Sequence, residues 1–404
     1  MPDKARIRIN ILGSTGSVGR NTVDVVRAHP DRFDVLAITG RGNIELLAEQ
    51  AKLLHAKMAV TADANRLRDL QNLLSGTGIA VAAGDAAMIE AASMPADVTV
   101  AAIVGFDGLR PTMAALRHSR RLAFVSKECL VCAGDLFLSE ARAHGCEIIP
   151  TDSEHSAIFQ ILHARTDEAM VQSITLTASG GPFLNFSDAD MRRITPVMAA
   201  AHPVWNMGQK ISIDSATLMN KALEIIEAHY LFQKPEHQID VVIHPEGIVH
   251  SLVSYVDGAV MAHMGKPDMR LPIAYALFYP GRQPMANSAL NLTQIGNLRF
   301  MAPDHARFPS LNLARECLRL GGGMPLALNA ANEVAVTRFI AGDIGFMAIF
   351  TLLQDVLDYA GRKYAGDSAK ILPDIAAMMA VDADIRAAAT KWAPRPSVHL
   401  AVAG

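Results

Sequence analysis

The sequence is poor in cysteine, in aromatic residues and in long apolar runs. Its 4 cysteines in 404 residues are too few for a disulfide framework, so we expect buried thiols, including Cys129 and Cys132, and a reducing cytoplasm. Aromatic residues make up only 5% of the chain, so aliphatic side chains and 19 methionines must fill the core. No apolar run reaches the ~18 residues that a membrane span needs, so we expect no membrane partner.

The chain also lacks an excess of either charge. A formal net charge of −3 gives no electrostatic reason to expect a nucleic acid or an anionic membrane as partner. The first residues, MPDKARIRINILG, enter a strand pattern at once, so we expect no signal or transit peptide. Half of the residues are hydrophobic, and at roughly 150 residues per domain the length predicts two or three domains.

Strand-like apolar runs alternate with helical patterns through residues 1–150. This alternation predicts an α/β domain with a doubly wound, Rossmann-like parallel sheet, which is a nucleotide-binding architecture. Residues 151–280 predict an α+β catalytic domain with a flap at 180–208, and KISIDS at its centre predicts a short strand. Residues 281–310 are typical of a linker, and residues 311–404 predict a C-terminal helical bundle.

A glycine-rich segment, Gly13-Ser14-Thr15-Gly16-Ser17-Val18-Gly19, follows the first predicted strand and opens the first helix. Glycines let a pyrophosphate approach the backbone, and the helix start offers free N–H groups, so we expect a dinucleotide here. The alternative is a tight structural turn. At the end of the second strand, Arg41 suits a 2′-phosphate and favours NADPH; the alternative is a solvated surface arginine. Lys127-Glu128 follows another strand, where Lys127 either binds a ligand oxygen or is a surface charge.

Two acids flank a serine in IIPTDSEH, where an apolar run meets the next helix. In an extended segment, Asp152 and Glu154 would point the same way and could hold one hard cation. The alternative is a capping box formed by Thr151 and Glu154. In the later helix, Glu224 is a candidate third carboxylate, and Glu227 competes with it at this spacing.

Candidate phosphate ligands cluster around two other segments. Ser179-Gly180-Gly181 ends a strand and suits a phosphate nest, while Ser215, Asn220 and Lys221 lie near the start of the helix that carries Glu224. A surface pair between Lys221 and Glu224 is the alternative there. The loop His202-Pro203-Val204-Trp205-Asn206-Met207 is typical of a lid, although Trp205 could instead anchor the loop to the core. The set His244, Glu246 and His250 mimics a metal cluster, but we expect it to be structural.

Seven motifs together resemble a known family. In this order, GSTGSVG, VSKE, PTDSEHSAIFQ, TASGGPF, AHPVWNMGQKISIDSATLMNKALEIIEAH, GKPDMRLPIAYAL and LNAANEVAV are similar to the 1-deoxy-D-xylulose 5-phosphate reductoisomerase family. The resemblance extends from about residue 7 to beyond residue 380. It implies NADPH- and metal-dependent isomerisation and reduction of 1-deoxy-D-xylulose 5-phosphate to 2-C-methyl-D-erythritol 4-phosphate, in the non-mevalonate route to isoprenoid precursors. It also implies a bacterial homodimer whose central domain serves dimerisation.

The resemblance assigns roles residue by residue. A divalent ion (Mg, Mn or Co) is expected on Asp152, Glu154 and Glu224, and Lys127 and His202 join these acids as catalytic residues. The sugar phosphate substrate is expected on Ser153, Glu154, Ser179, His202, Trp205, Ser215, Asn220, Lys221 and Glu224. NADPH is expected on Thr15, Gly16, Ser17, Val18, Gly40, Arg41, Gly42, Asn43, Ser126, Lys127, Glu128, Gly208 and Met269.

Two departures from the family pattern concern the cofactor. Ser126 stands where members often have Asn, and Arg41-Gly42-Asn43 differs from the more usual Gly-x-Asn. Three rival functions are a simple NADP-dependent dehydrogenase, a non-catalytic NADPH sensor and a metal-dependent aldolase. The dehydrogenase gives no reason for three acids beside a phosphate site. The sensor predicts that Glu154→Gln changes nothing, and the aldolase fails if NADPH oxidation requires the sugar phosphate.

Overall fold

The computed structural model describes residues 6–163, 168–201, 208–286 and 289–394. The described chain divides into two compact units. The first contains the described residues up to Ser179 together with Leu223–Pro303. The second contains the described residues between 180 and 222 and those from Asp304 onward.

The first unit begins with a seven-stranded sheet in which every neighbouring pair is parallel. Its strands are β1 (Ile7–Leu12), β2 (Phe33–Gly40), β3 (Met58–Thr61), β4 (Ala80–Ala83), β5 (Ala96–Ala101), β6 (Ser119–Phe124) and β7 (Glu147–Pro150). The helices between them are α1 (Ser17–Arg27), α2 (Ile44–Leu53), α3 (Leu67–Leu73), α4 (Asp85–Ala92), α5 (Leu109–His118) and α6 (Lys127–Ala143). The strand order, β4-β3-β2-β1-β5-β6-β7, confirms the predicted Rossmann-like sheet.

The central strands of this sheet are buried along their length. Ile9 and Ile11 of β1 are inaccessible to solvent, as are Val98 and Val100 of the neighbouring β5. Helices cover both faces of a parallel sheet, which is why its strands are near-continuous apolar runs. The carboxyl ends of β1, β2, β5 and β6 therefore carry the loops that are free to bind ligands.

A second, four-stranded sheet follows in the same unit. After helix α7 (Ser153–Leu162) come β8 (Val171–Ala178), β9 (Ile239–Ile243), β10 (Val249–Tyr255) and β11 (Val260–Met264), in the order β11-β10-β8-β9. Strand β10 is antiparallel to both β8 and β11, whereas β8 and β9 are parallel. The β10–β11 hairpin turns at Gly258, whose φ of +87° suits glycine, and Asp257 accepts a hydrogen bond from the Ala259 N–H at 2.9 Å.

The remaining helices are shared between the two units. They are α8 (Asp188–Met191), α9 (Pro196–Ala200), α10 (Gln209–Ala216), α11 (Met219–Phe232), α12 (Arg270–Phe278), α13 (Leu292–Ile295), α14 (Ser310–Leu320), α15 (Met324–Ile340), α16 (Phe346–Tyr364), α17 (Ser368–Ile371) and α18 (Ile375–Lys391). Four short 3-10 helices lie at Ala64–Arg66, Phe106–Gly108, Glu168–Met170 and Glu236–Gln238. The helices from α14 onward confirm the predicted helical C-terminal region.

The prediction of a strand at KISIDS was wrong, because this segment forms α10. Lys210 and Asp214 lie four residues apart and their charged groups approach to 3.0 Å, a contact that helical spacing provides. Asp214 is buried and accepts a hydrogen bond from Asn332 at 2.8 Å. Leu218, with φ of +57°, then separates α10 from α11.

Two composition-based expectations can be compared with the fold. All four cysteines are buried and lie outside disulfides, which confirms them as ordinary buried thiols. Burial raises the pKa of the Cys146 thiol to about 12, so this thiol is unreactive near neutral pH. Among the described helices, none has the length and apolar character needed to cross a membrane.

Candidate active site

Three carboxylates converge within the first unit. Asp152 caps the N-terminus of α7, Glu154 lies in the first turn of that helix, and Glu224 projects from α11. One oxygen of each carboxylate lies within 4.8 Å of the others. Carboxylate oxygens are the ligands that Mg²⁺ and Mn²⁺ prefer, so this donor set fits a hard divalent ion.

The start of α7 brings Asp152 and Glu154 together in a different way from the one predicted. The Asp152 carboxylate accepts a hydrogen bond from the Ser153 N–H at 3.0 Å, so Asp152 itself is the N-cap. Thr151 instead donates its hydroxyl to the Phe124 carbonyl at 2.8 Å, at the end of β6. The capping-box alternative and the extended-strand geometry were therefore both wrong. The carboxylates of Asp152 and Glu154 nevertheless lie close together. Ser153 donates its hydroxyl to the Glu154 carboxylate.

Lys127 lies between the acids. It is the first residue of α6, after β6, and its ammonium group lies 2.5 Å from Asp152 Oδ2 and 2.9 Å from Glu224 Oε1. Burial by itself would lower the pKa of the lysine, but the Asp152 and Glu224 carboxylates outweigh it and raise that pKa well above the ordinary value. Lys127 is therefore a buried cation at neutral pH and not the surface charge of the alternative interpretation.

A second acidic residue adjoins the cluster. Glu227 is fully buried one turn beyond Glu224, and its Oε2 lies 3.2 Å from Nδ1 of His155, which is also fully buried. With Asp152, these two residues form a second group with donor atoms within 4.8 Å of one another. Sequence reasoning named Glu227 only as a competitor of Glu224 and gave His155 no role. The three-residue spacing between Asp152 and His155 was the available signal.

The glycine loop lies between the end of β1 and the start of α1. Gly13 has a φ of +85°, and a Cβ there would lie 2.6 Å from the Ala102 carbonyl oxygen. A Cβ on Gly19 would lie 2.1 Å from the Gly13 carbonyl oxygen, so the loop folds tightly against its own helix. Gly16 is the N-cap of α1 and its side is open, because a Cβ there would meet nothing nearer than 3.5 Å. The helix start is thus exposed at Gly16 and Ser17, as an anion site requires.

The end of β2 lies beside this loop. A Cβ on Gly40 would lie 3.1 Å from the Thr15 side chain, which brings the two predicted cofactor segments together. Asn43 caps α2 by accepting a hydrogen bond from the Leu46 N–H at 3.0 Å. Arg41 is exposed and pairs with Asp107 at 3.0 Å, so its guanidinium group is available at the surface of the loop.

The other predicted cofactor residues lie at helix starts. Ser126 precedes α6 and donates its hydroxyl to the Ile103 carbonyl at 2.5 Å, whereas Glu128 is buried within that helix. Met269 is the N-cap of α12 and packs against the core of the first unit. Gly208 is the exposed N-cap of α10 in the second unit.

The predicted phosphate residues belong to both units. Ser179 follows β8, and the next two residues, Gly180 and Gly181, have φ of +84° and +69°. In the second unit, Ser215 lies in α10 and is half-buried, while Asn220 and Lys221 begin α11. The predicted lid residues His202, Trp205 and Met207 lie outside the described residues.

The histidine near β9 is structural, as expected. Nε2 of His244 accepts hydrogen bonds from the Ile248 and Val249 N–H groups at 3.2 and 3.1 Å. Its Nδ1 must therefore carry the proton, and it donates to the Arg299 carbonyl at 2.9 Å. Both ring nitrogens are occupied by backbone groups, so His244 has no lone pair for a metal. Glu246 pairs with Arg299 at 2.6 Å.

The fold and the site together define a class of protein. A Rossmann-like sheet with an open glycine loop, combined with an oxygen-rich cation site, is typical of a nucleotide-dependent oxidoreductase that also uses a divalent metal. Family models narrow this class. The model of the 1-deoxy-D-xylulose 5-phosphate reductoisomerase family matches residues 9–134. The model of the C-terminal domain of the same family matches residues 148–232. A second C-terminal model, "DXP reductoisomerase C-terminal domain", matches residues 264–388.

Curated relatives and solved structures agree with these models. The 1-deoxy-D-xylulose 5-phosphate reductoisomerase of Rhodospirillum centenum is 52% identical over 86% of this chain and 87% of its own length. That of Agrobacterium fabrum is 49% identical over 91% of this chain and 92% of its own length. The chain belongs to the 1-deoxy-D-xylulose 5-phosphate reductoisomerase family.

Two solved structures share the whole architecture. The reductoisomerase from Zymomonas mobilis, in complex with NADPH, is 42% identical with a TM-score of 0.88, over 96% of this chain and 98% of that one. A second reductoisomerase, in complex with NADPH, fosmidomycin and magnesium, is 41% identical with a TM-score of 0.90, over 95% and 97% of the two chains.

Proposed function

We propose that the cluster of Asp152, Glu154, Glu224 and Lys127 is the active site for the family reaction. The protein converts 1-deoxy-D-xylulose 5-phosphate to 2-C-methyl-D-erythritol 4-phosphate, and it depends on NADPH and a divalent metal. When bound, the metal polarises the hydroxy-ketone of the substrate, and NADPH supplies the hydride that reduces the rearranged aldehyde. The observation that carries this proposal is the convergence of three carboxylate oxygens within 4.8 Å of one another.

Each residue of the cluster has a distinct task. Asp152, Glu154 and Glu224 hold the ion, and the α7 N-terminus fixes Asp152 through its hydrogen bond to the Ser153 N–H. Ser153 contacts the substrate beside the ion. Lys127 donates a hydrogen bond to a substrate oxygen. Its positive charge stabilises that oxygen as negative charge develops on it during the rearrangement.

The cofactor and phosphate assignments extend this proposal. NADPH binds with its pyrophosphate at the open N-terminus of α1, near Gly16 and Ser17, and Arg41 pairs with the 2′-phosphate. The other cofactor contacts are assigned to Thr15, Val18, Gly40, Gly42, Asn43, Ser126, Lys127, Glu128, Gly208 and Met269. The substrate phosphate is assigned to Ser179, Ser215, Asn220 and Lys221, and His202 and Trp205 are assigned to the covering flap. The family resemblance supports these assignments.

A homodimer is the proposed assembly. Strand β11 is at the edge of the four-stranded sheet, and Val260 and Met261 on it are 57% and 53% exposed. An unprotected edge strand with exposed apolar side chains is suited to pairing with a second chain. Sedimentation of the wild-type protein and of Val260→Lys measures this directly, and an unchanged dimer in the variant would exclude β11 as the contact. Cysteines that form no disulfide support a cytoplasmic location, which cell fractionation tests.

The activity is tested by NADPH oxidation in the presence of 1-deoxy-D-xylulose 5-phosphate. We expect oxidation that requires the sugar phosphate, stops with a chelator and returns with excess Mg²⁺. Glu224→Gln should lose turnover by at least about 1000-fold while keeping its fold. The control Glu246→Gln removes a carboxylate outside the cluster, which pairs with Arg299 and lies 3.2 Å from Nδ1 of His244, and this variant should remain active. A linear pentitol phosphate as product, with no branched product, would refute the rearrangement.

A further inference from the structure

A protein cation already lies among the proposed metal ligands. The Lys127 ammonium contacts Asp152 Oδ2 at 2.5 Å and Glu224 Oε1 at 2.9 Å. The side chains of Lys127 and Glu224 are 7% and 1% exposed, so water does little to screen their charges. The ammonium is therefore a buried cationic partner of both carboxylates.

The ammonium and a divalent ion would compete for the same carboxylates. A Mg²⁺ ion needs carboxylate oxygens at ~2.0–2.1 Å, which is closer than the ammonium approaches them. Two cations that close together repel each other strongly in a buried site. Lysine has a flexible four-carbon stem, so its ammonium group can move away by side-chain rotation. Asp152 has less freedom, because its carboxylate also caps a helix.

We propose that Lys127 is a built-in counter-cation that holds the carboxylates in place without metal and is displaced from them when the metal binds. This inference rests on the proposed metal site and adds a coupling to it. Binding of the ion moves the ammonium off Asp152 and Glu224, which makes it available to a substrate oxygen. Metal therefore binds before the lysine can act on substrate. Because the ion must displace the lysine, the observed metal affinity is lower than the intrinsic affinity of the carboxylates.

The coupling is tested by Mn²⁺ binding to purified protein, measured by calorimetry and by the electron paramagnetic resonance signal of free Mn²⁺. Lys127→Met removes the charge and keeps most of the stem, so it should bind Mn²⁺ at least about 10-fold more tightly than wild type. Without metal it should unfold at a lower temperature, and Mn²⁺ should raise that temperature by more than in wild type. Lys127→Arg keeps the cation and should bind Mn²⁺ at least about 3-fold more weakly than Lys127→Met.

Lys57→Met is the matched control, because it removes an exposed ion pair with Asp34 and should leave Mn²⁺ affinity unchanged. Folded Lys127→Met that binds Mn²⁺ no more tightly than wild type would overturn the counter-cation role while leaving the metal site intact. Failure of wild type to bind Mn²⁺ would instead overturn the proposed metal site and the counter-cation role with it.

A second measurement does not depend on the folding of Lys127→Met. In protein labelled with ¹⁵N-lysine, the ammonium resonance of Lys127 is assigned by its loss in Lys127→Arg. Saturating Mg²⁺ should shift that resonance or broaden it by exchange with water, since the ammonium leaves its two carboxylates. A resonance that stays unmoved at saturating Mg²⁺ would mean that the ammonium keeps its place, contrary to the proposal.

Discussion

Oε2 of Glu227 lies 3.2 Å from Nδ1 of His155, and both side chains are completely buried. Nε2 of the same ring lies 3.0 Å from the Glu224 carbonyl oxygen, which only accepts, so Nε2 carries a proton. Burial lowers the pKa of His155 and raises the pKa of Glu227 well above its usual range. Both shifts favour the neutral forms of the two groups, in which the Glu227 carboxyl group can point its proton toward Nδ1.

A neutral Glu227 predicts that glutamine can replace it. Glu227→Gln keeps the volume and offers an N–H donor to Nδ1, so its free energy of unfolding should stay within about 1 kcal/mol of wild type. Glu227→Ala leaves a cavity and a buried ring nitrogen without its donor, and should cost about 2–4 kcal/mol. Urea denaturation of the three proteins measures both values. Equal large losses for both variants would argue for an ionised Glu227 facing a charged His155.

Alanine substitutions at Gly19 and Gly16 in the first loop should affect stability and NADPH binding differently. A Cβ on Gly19 would lie 2.1 Å from a backbone oxygen that cannot move aside easily, so Gly19→Ala should lower the melting temperature by several degrees. This loss would occur despite the helix propensity of alanine. Gly16→Ala meets no protein atom nearer than 3.5 Å and loses only the N-cap preference for glycine over alanine, so it should lower the melting temperature by less than Gly19→Ala. If the pyrophosphate approaches Gly16, the same variant should bind NADPH at least about 10-fold more weakly. Unaltered NADPH binding would contradict a pyrophosphate site at Gly16.

Arg41 should select NADPH over NADH. It pairs with Asp107 at 3.0 Å with both side chains more than 70% exposed, so this ion pair adds only about 0–1 kcal/mol to stability. Arg41→Ala should weaken the binding of NADPH roughly 10-fold and leave the binding of NADH nearly unchanged, since only NADPH carries the 2′-phosphate. Fluorescence titration with both nucleotides measures the ratio, with Arg66→Ala as the control in the same part of the first unit. An equal loss for both nucleotides would remove Arg41 from 2′-phosphate recognition.

Local sequence patterns were enough for the first sheet and for two of the three acids of the cluster. Apolar runs such as Ile7–Leu12 are long enough to define strands, and the glycines after them require a turn that few other residues allow. The pairing of Asp152 with Glu154 could be predicted because the two residues are near neighbours. The choice of Glu224 over Glu227 came from the family resemblance, since helical spacing alone allows either residue.

Contacts between distant segments could not be predicted in the same way. Lys127 reaches Glu224 across 97 positions of sequence, and that contact depends on how α6 and α11 pack. The N-cap at Asp152 was missed because Thr151 has its own partner, the Phe124 carbonyl of β6, which no local pattern shows. The helical state of α10 was missed because the side chains that satisfy Asp214 include Asn332 of α15.

A final prediction concerns stability in mild acid. His263 on β11 faces His250 and Arg282 beside a cavity of about 450 Å³. Burial, followed by the charges of those two neighbours, lowers the pKa of His263 to about 4. Because the unfolded chain then binds the proton first, the free energy of unfolding should fall as the pH drops from about 6.5 to 4, by up to about 1.4 kcal/mol per unit. Denaturation between pH 7 and pH 4.5 should show this slope reduced in His263→Asn, whereas His237→Asn, which removes an exposed histidine, should retain it. An unchanged slope in His263→Asn would place the acid sensitivity on another group.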